Sequence, residues 1–190
     1  MRVLDLGAGE SCVARVLWPE AEVVAVDARE IARPDDDLKV TGLKITGVVA
    51  DVRALPQELG KFEVILASHL LEHLTRAEVV PTLTHWAGYL RTGGELHVLV
   101  PDLAWAAERV VRGEMVVEVQ AHIYGSQANE WQFHKVGFTV ALLRDAVRRA
   151  GLVVRTARLG PFEIVNTRED GSRESVVARQ IYVVGVKREA

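Results

Sequence analysis

The chain has a single cysteine, Cys12, among its 190 residues, which excludes an internal disulfide and any zinc site built from several thiolates. A reducing compartment suits such a chain, and a cytoplasmic location is the expectation. Charge of one sign is also scarce: the formal net charge is only −3, so no global basic field exists to hold a phosphate backbone. Nucleic acid is therefore not expected as a partner. No apolar run reaches membrane-spanning length, and "MRVLDLGAG" passes from methionine straight into a strand-like run with a charge inside it, unlike a signal peptide. No membrane association is expected. With 49% hydrophobic and 26% charged residues, the remaining composition is that of an ordinary globular enzyme or binding domain. Its length fits one domain over residues 1–190 with a substantial core.

Short Val/Leu/Ile-rich runs alternate with helical patterns: "RVLDLG", "EVVAVD", "ITGVVADV", "FEVILAS" and "ELHVLVP". Runs that are apolar nearly throughout suit strands buried on both faces of a mainly parallel sheet covered by helices. The spacing predicts a short helix in "SCVARVLW", stopped by Pro19, and a longer one in "RAEVVPTLTHWAGYLRTGG", ended by Gly93 and Gly94, with Pro81 in its first turn. Thr139 reads as the N-cap of a terminal helix over "VALLRDAVRRAG". Two final strands follow, in "LVVRTARLG" and "RQIYVVGVK", joined by the polar, turn-rich "NTREDGSRES". Residues 28–44 have no convincing apolar face, and an irregular link is expected there. Residues 102–138 form a long insertion with Trp105, Tyr124, Trp131, Phe133 and Phe138, in the manner of a lid or substrate-binding element.

In "VLDLGAGES", Gly7 and Gly9 occupy a strand-to-helix turn, where missing side chains leave room for a ligand and helix amides can meet its polar end. Asp27 ends the next strand twenty residues after Gly7, where an acid can bind ribose hydroxyls. A nicotinamide dinucleotide fingerprint would need a third glycine at Cys12, so that oxidoreductase reading fails at this position.

Taken in order, "VLDLGAGES", "VVAVD", "VVADVRALP", "FEVILASHLLEHL" and "LRTGGELHVLVPD" resemble the class I S-adenosylmethionine-dependent methyltransferases, most closely the type 11 small-molecule group. The resemblance implies a doubly wound α/β sheet of order 3-2-1-4-5-7-6, with its last strand antiparallel and helices on both faces. It implies S-adenosylmethionine as cofactor and methyl transfer to an oxygen or nitrogen of a small-molecule acceptor. Asp5, Gly7, Ala8 and Gly9 would then meet the methionine part, Asp27 the ribose diol, and Asp51 and Val52 the adenine, with Ala28 a further cofactor contact. Ser68, His69 and Leu70 would line the floor near the methyl group. Ser11 replaces the turn's usual third glycine, and Glu10 brings a carboxylate close to that of the cofactor. The helix that usually precedes the first strand has no counterpart before Arg2, so an open cleft, or cover by a partner in a homodimer, is expected. A binding protein without catalysis is the first alternative, and a nicotinamide-dependent oxidoreductase, disfavoured by Cys12 at the third fingerprint position, is the second.

His69, Glu72 and His73 match the His-x-x-Glu-His spacing of a zinc peptidase. That site needs both imidazoles on one face of a continuous helix, whereas "FEVILAS" reads as a strand that leaves His69 in a turn. No third ligand is evident in the sequence, and no metal is expected. His69 can be pocket wall or general base, with the wall preferred, while Glu72 and His73 hold the turn. Within "IYGSQANEWQFHKVGF", His134 and Tyr124 are candidate acid/base or substrate-orienting groups; His122 and Lys135 carry no assigned role. Trp105, Phe133 and Phe138 are expected to pack the insertion onto the sheet.

Overall fold

Side chains alternate between the two faces of the buried strands, and this divides the core into two layers. Leu4, Leu6, Val24, Val26, Ile65 and Ala67 belong to one layer, and Val3, Val23, Ala25, Val64 and Leu66 to the other. The computed structural model describes residues 1–9, 12–29, 44–114, 116–167 and 173–189. Expectations concerning Glu10, Ser11 and the 30–43 part of the link lie outside the described residues.

The seven strands are β1 (Arg2–Leu6), β2 (Glu22–Asp27), β3 (Lys44–Val49), β4 (Phe62–Ser68), β5 (Leu90–Pro101), β6 (Val153–Thr167) and β7 (Arg173–Val186). They form one sheet in the order β3-β2-β1-β4-β5-β7-β6. The pairings among β1 to β5 are parallel, and β7 runs antiparallel to both of its neighbours. Both the order and the antiparallel last strand are as expected. Among the described residues, no helix is long and apolar enough to cross a membrane.

The described α-helices are α1 (Val13–Leu17), α2 (Arg76–Tyr89), α3 (Leu103–Val111), α4 (Val117–Tyr124) and α5 (Val140–Arg149). α2 and α5 cover the first core layer through Leu83, Trp86, Leu143 and Val147, and α1 packs Ala14 into the second. Thr139 caps α5 by accepting from the Leu142 N–H at 3.3 Å. Three details depart from expectation. α2 stops at Tyr89, and Gly93 and Gly94 sit in a bulge of β5, where the register to β4 shifts between Phe62 and Val64. A Cβ at Gly94 would lie 2.9 Å from the Arg91 carbonyl oxygen, so the glycine serves strand packing instead of a helix stop. Pro81 is inside α2, past the first turn. Strands β6 and β7 take in both ends of the polar "NTREDGSRES" segment, pairing Asn166 with Glu174 and Thr167 with Arg173; residues 168–172 lie outside the described residues.

The insertion leaves and rejoins the sheet at one point, since Asp102 and Phe138 form a parallel bridge. Within it, Trp105, Ala106 and Val119 pack with Ala178 of β7 as a separate small core. Phe138 is buried in the main core, whereas Phe133 is 43% exposed and, contrary to expectation, does not pack the insertion down.

α2 begins in a capping box: Thr75 is the N-cap, and its own N–H donates to Glu78 Oε2 at 2.8 Å. Thr75→Ala is expected to cost about 1 kcal/mol. Urea unfolding should show a lower midpoint with an unchanged slope, and an unchanged midpoint would reject the cap's contribution.

Candidate functional site

The C-terminal ends of β1 to β4 meet where the strand order reverses, between β1 and β4, and open sheets bind ligands at such points. The turn after β1 is tied to β2, because the N–H groups of Gly7 and Ala8 donate to the Val26 carbonyl at 2.8 and 3.2 Å. Gly7 has φ +64, and a Cβ there would lie 2.8 Å from Leu70 Cδ1, so the turn closes only around glycine. Gly9 faces open space and donates its N–H to Asp27 Oδ2 at 3.1 Å. Asp27 Oδ1 accepts from the Arg29 N–H at 3.1 Å.

The turn after β3 is held from the side of α2. Trp86 Nε1 donates to the Val52 carbonyl at 2.8 Å, the Tyr89 hydroxyl to that of Leu55 at 2.6 Å, and the Leu55 N–H to His85 Nε2 at 3.0 Å. Asp51 is thereby presented beside Arg53, whose Nη2 donates to Asp51 Oδ2 at 2.7 Å and whose Nη1 donates to Glu78 Oε1 at 2.6 Å. The hydrogen bonds from Arg53 hold the Asp51 carboxyl below its ordinary range.

Gly7, Gly9, Asp27, Ala28, Asp51, Val52, His69 and Leu70 line one cleft of about 580 Å³. Three other residues expected there do not. Asp5 is 2% exposed, on the second core layer's side, and its carboxylate accepts the Ala14 N–H at 2.9 Å, bracing α1. Burial raises its pKa to about 6, with the Ala14 N–H and the Cys12 thiol opposing the rise. Ala8 is buried in the second core layer, and Ser68 closes β4 opposite Leu99.

After β4 the chain turns at His69, with φ +51, into a single 3-10 turn over Leu71–His73. No continuous helix carries His69 and His73, so the peptidase arrangement is absent. The insertion docks on this turn: the Lys135 and Val136 N–H groups donate to the Glu72 carbonyl at 2.8 and 3.3 Å. A second cavity of about 350 Å³ lies at this junction, lined by His69, Glu72, His73, His122 and His134 among others. Both cavities share His69, His73 and Gln132.

Glu72 is 1% exposed; His69 Nδ1 lies 3.4 Å from its Oε1, an ion-pair distance, yet neither carboxylate oxygen has a hydrogen-bond partner among the described residues. Burial works against charge on both groups, but their attraction outweighs it, holding the His69 pKa above and the Glu72 pKa below their ordinary values. His69 Nε2 is 3.1 Å from Gln180 Oε1, so both ring nitrogens have neighbours that fix the ring. Burial lowers the His122 pKa to about 4, and also lowers that of His134 against the pull of Glu72. Tyr124 lines neither cavity: the residue is 52% exposed, and its carbonyl accepts the His134 N–H at 3.0 Å.

Arg29, Arg53, Glu78, Trp131, Gln132 and Lys135 also line the larger cleft. Arg53 had a legible signal, a cation two residues after Asp51 in the same turn. The insertion's three contributors had none, because their direction depends on how the insertion docks.

The raised Asp5 pKa sets a pH dependence of stability. Its charged form is unfavourable in the fold, so the cost is complete above pH 6 and disappears as pH falls toward the ordinary value of 3.8. Between pH 8 and pH 4, the stability difference between Asp5→Asn and the wild type should shrink by up to about 3 kcal/mol. Denaturation of both proteins at each pH checks this, and a constant difference would reject it.

Residues 3–94 match a family model described as a methyltransferase domain. No curated protein matches the chain by sequence. Among solved structures, similarity extends over nearly the whole chain. A Burkholderia thailandensis 1,6-didemethyltoxoflavin N1-methyltransferase, with 1,6-didemethyltoxoflavin and S-adenosylhomocysteine bound, superimposes with TM-score 0.68 at 20% identity over 99% of this chain and 71% of its own. A Bacillus halodurans putative methyltransferase gives TM-score 0.68 at 14% identity over 99% and 93%. A structure concerned with converting a disulfide into a thioacetal during echinomycin biosynthesis gives 0.70 at 17% identity over 98% and 76%. The family match spans the glycine turn, Asp27, Asp51 and the turn after β4, so residues 3–94 match a methyltransferase domain, and the chain as a whole has the Rossmann-like fold of the class I S-adenosylmethionine-dependent methyltransferases.

Proposed function

We propose that the chain transfers the methyl group of S-adenosylmethionine to an oxygen or nitrogen of a small-molecule acceptor. The observation that carries this reading is the convergence of Gly9, Asp27, Asp51 and His69 on one cleft, with a smaller cavity joined to it at His69. The open space in front of Gly9 suits a ligand backbone, Asp27 suits a ribose diol, and Asp51 with the Val52 N–H suits the adenine edge. Arg29 and Arg53 occupy part of those carboxylates, and each carboxylate retains lone pairs for a further donor. A cavity of about 350 Å³ is of small-molecule size, and the net charge of −3 disfavours a polyanion in it.

S-adenosylmethionine supplies a methyl group already activated by its positive sulfonium. The chain's own task is to align donor and acceptor and to accommodate the acceptor's proton. His69 borders both cavities, and the contacts of its two ring nitrogens favour a wall over a free base. Trp131 and Lys135 bring the insertion to the edge of the larger cleft.

Calorimetry with S-adenosylhomocysteine tests the donor site. Binding is expected, and Asp27→Ala should weaken it roughly 10- to 100-fold, the loss of hydrogen bonds to a charged group. No binding by the wild type would remove the reading, and unchanged affinity in the variant would remove the ribose role of Asp27. A labelled methyl donor, offered with a panel of hydroxyl- and amine-bearing metabolites, tests the acceptor class. Label should appear in a small product, and methylation confined to protein or nucleic acid would overturn the proposal.

A further inference from the structure

We propose that Glu72, His73 and His134 form a binding site for one divalent transition-metal ion, with its open coordination positions facing the smaller cavity. One ligand atom from each residue lies within 4.8 Å of the others, so modest side-chain rotation would bring all three to a bonding distance of about 2.1 Å. Glu72 and His73 come from the turn after β4, and His134 comes from the insertion. The hydrogen bonds from Lys135 and Val136 to the Glu72 carbonyl hold these two segments together.

The imidazole contacts fix which nitrogen is available. His73 Nδ1 is 3.0 Å from the Phe133 carbonyl oxygen and His134 Nδ1 is 3.2 Å from that of His122. A carbonyl oxygen can only accept, so each Nδ1 carries the proton and each Nε2 keeps its lone pair. Histidine ligands of metals are oriented in this way, with the second ring nitrogen donating to a carbonyl or carboxylate.

Glu72 supplies the independent observation. Its side chain is buried, both of its oxygens lack a hydrogen-bond partner among the described residues, and it borders the cavity. A buried carboxylate without hydrogen bonds costs several kcal/mol unless a cation compensates it. His69, at 3.4 Å, is one compensating group on one side; a metal ion would engage the other oxygen.

Two imidazoles and one carboxylate favour zinc or a neighbouring first-row ion over magnesium or calcium, which prefer all-oxygen shells. Three protein ligands leave at least one position open, and here it would face the cavity that meets the cofactor cleft at His69 and His73. An acceptor hydroxyl or amine bound at that position would lose its proton to solvent more readily. The acceptor atom would then form its bond to the methyl carbon as the carbon–sulfur bond breaks, giving S-adenosylhomocysteine. This role rests on the methyl-transfer reading; the metal site itself does not.

The test uses the full chain without a histidine tag, stripped with a chelator and titrated with Zn²⁺ by calorimetry. One ion per chain is expected, with Mg²⁺ failing to compete. Glu72→Gln, His73→Ala and His134→Ala should each weaken Zn²⁺ binding by about tenfold or more. Co²⁺ should give visible absorption bands in the wild type that are lost in His134→Ala, and Zn²⁺ should raise the melting temperature of the wild type but not of that variant. Absence of stoichiometric Zn²⁺ binding, or wild-type affinity in both histidine variants, would overturn the site. Titrating the same wild-type sample with S-adenosylhomocysteine separates the two ideas: metal binding without it defeats only the methyl-transfer reading, and the converse defeats only the metal site.

Discussion

The Glu72 carbonyl accepts hydrogen bonds from two successive N–H groups of the insertion, and residues on both sides of that contact line the two cavities. At its far end, the insertion is fixed by burial of Trp105, Ala106 and Val119 against Ala178. At this end the fixing is polar: Lys135 and Val136 on Glu72, His73 against the Phe133 carbonyl, and His134 against that of His122. Each such bond is worth about 1 kcal/mol net, so the near end is held more weakly than a packed core would hold it. Trp131, Gln132 and Lys135, from the same end of the insertion, line the larger cleft.

The turn that receives the insertion is unusual in what it buries. Glu72 and His69 form an ion pair in a setting that penalises both charges, and the Glu72 oxygens are left without hydrogen bonds among the described residues. Buried ionic groups of this kind are weak sources of stability and more often mark a functional position. By contrast, the glycine turn and the Asp51 turn are well satisfied by Val26, Trp86 and Tyr89, as expected of a preformed floor.

Much of this was legible before the fold was known. Apolar runs at strand spacing point to the sheet, and the glycine turn, Asp27 and Asp51, each within a few residues of a strand end, are residues that the sheet brings to one cleft. Asp5, which the resemblance assigns to the cofactor, does not line that cleft: period-two alternation sends it to the layer opposite Leu4 and Leu6, where it braces α1. Gly93 and Gly94 misled because a glycine pair has the same local signature in a helix stop and in a strand bulge. His134 could not be joined to Glu72 and His73 from spacing at all. Only the docking of a long insertion brings them together, and no local pattern encodes it.

The position of β7 constrains the order in which the sheet can be completed. It lies between β5 and β6, so β6 has no neighbour on the sheet until the strand that follows it in sequence is in place. β6 and β7 pair antiparallel along most of their length, a local contact that can form early, and the pair then adds to β5 as one unit. Its arrival also completes α2 at a distance: Lys187, just beyond β7, donates through Nζ to the Ala87 and Leu90 carbonyls at 2.9 and 3.0 Å. The helix that steadies the Asp51 turn is therefore finished only once the β6–β7 pair has docked on β5.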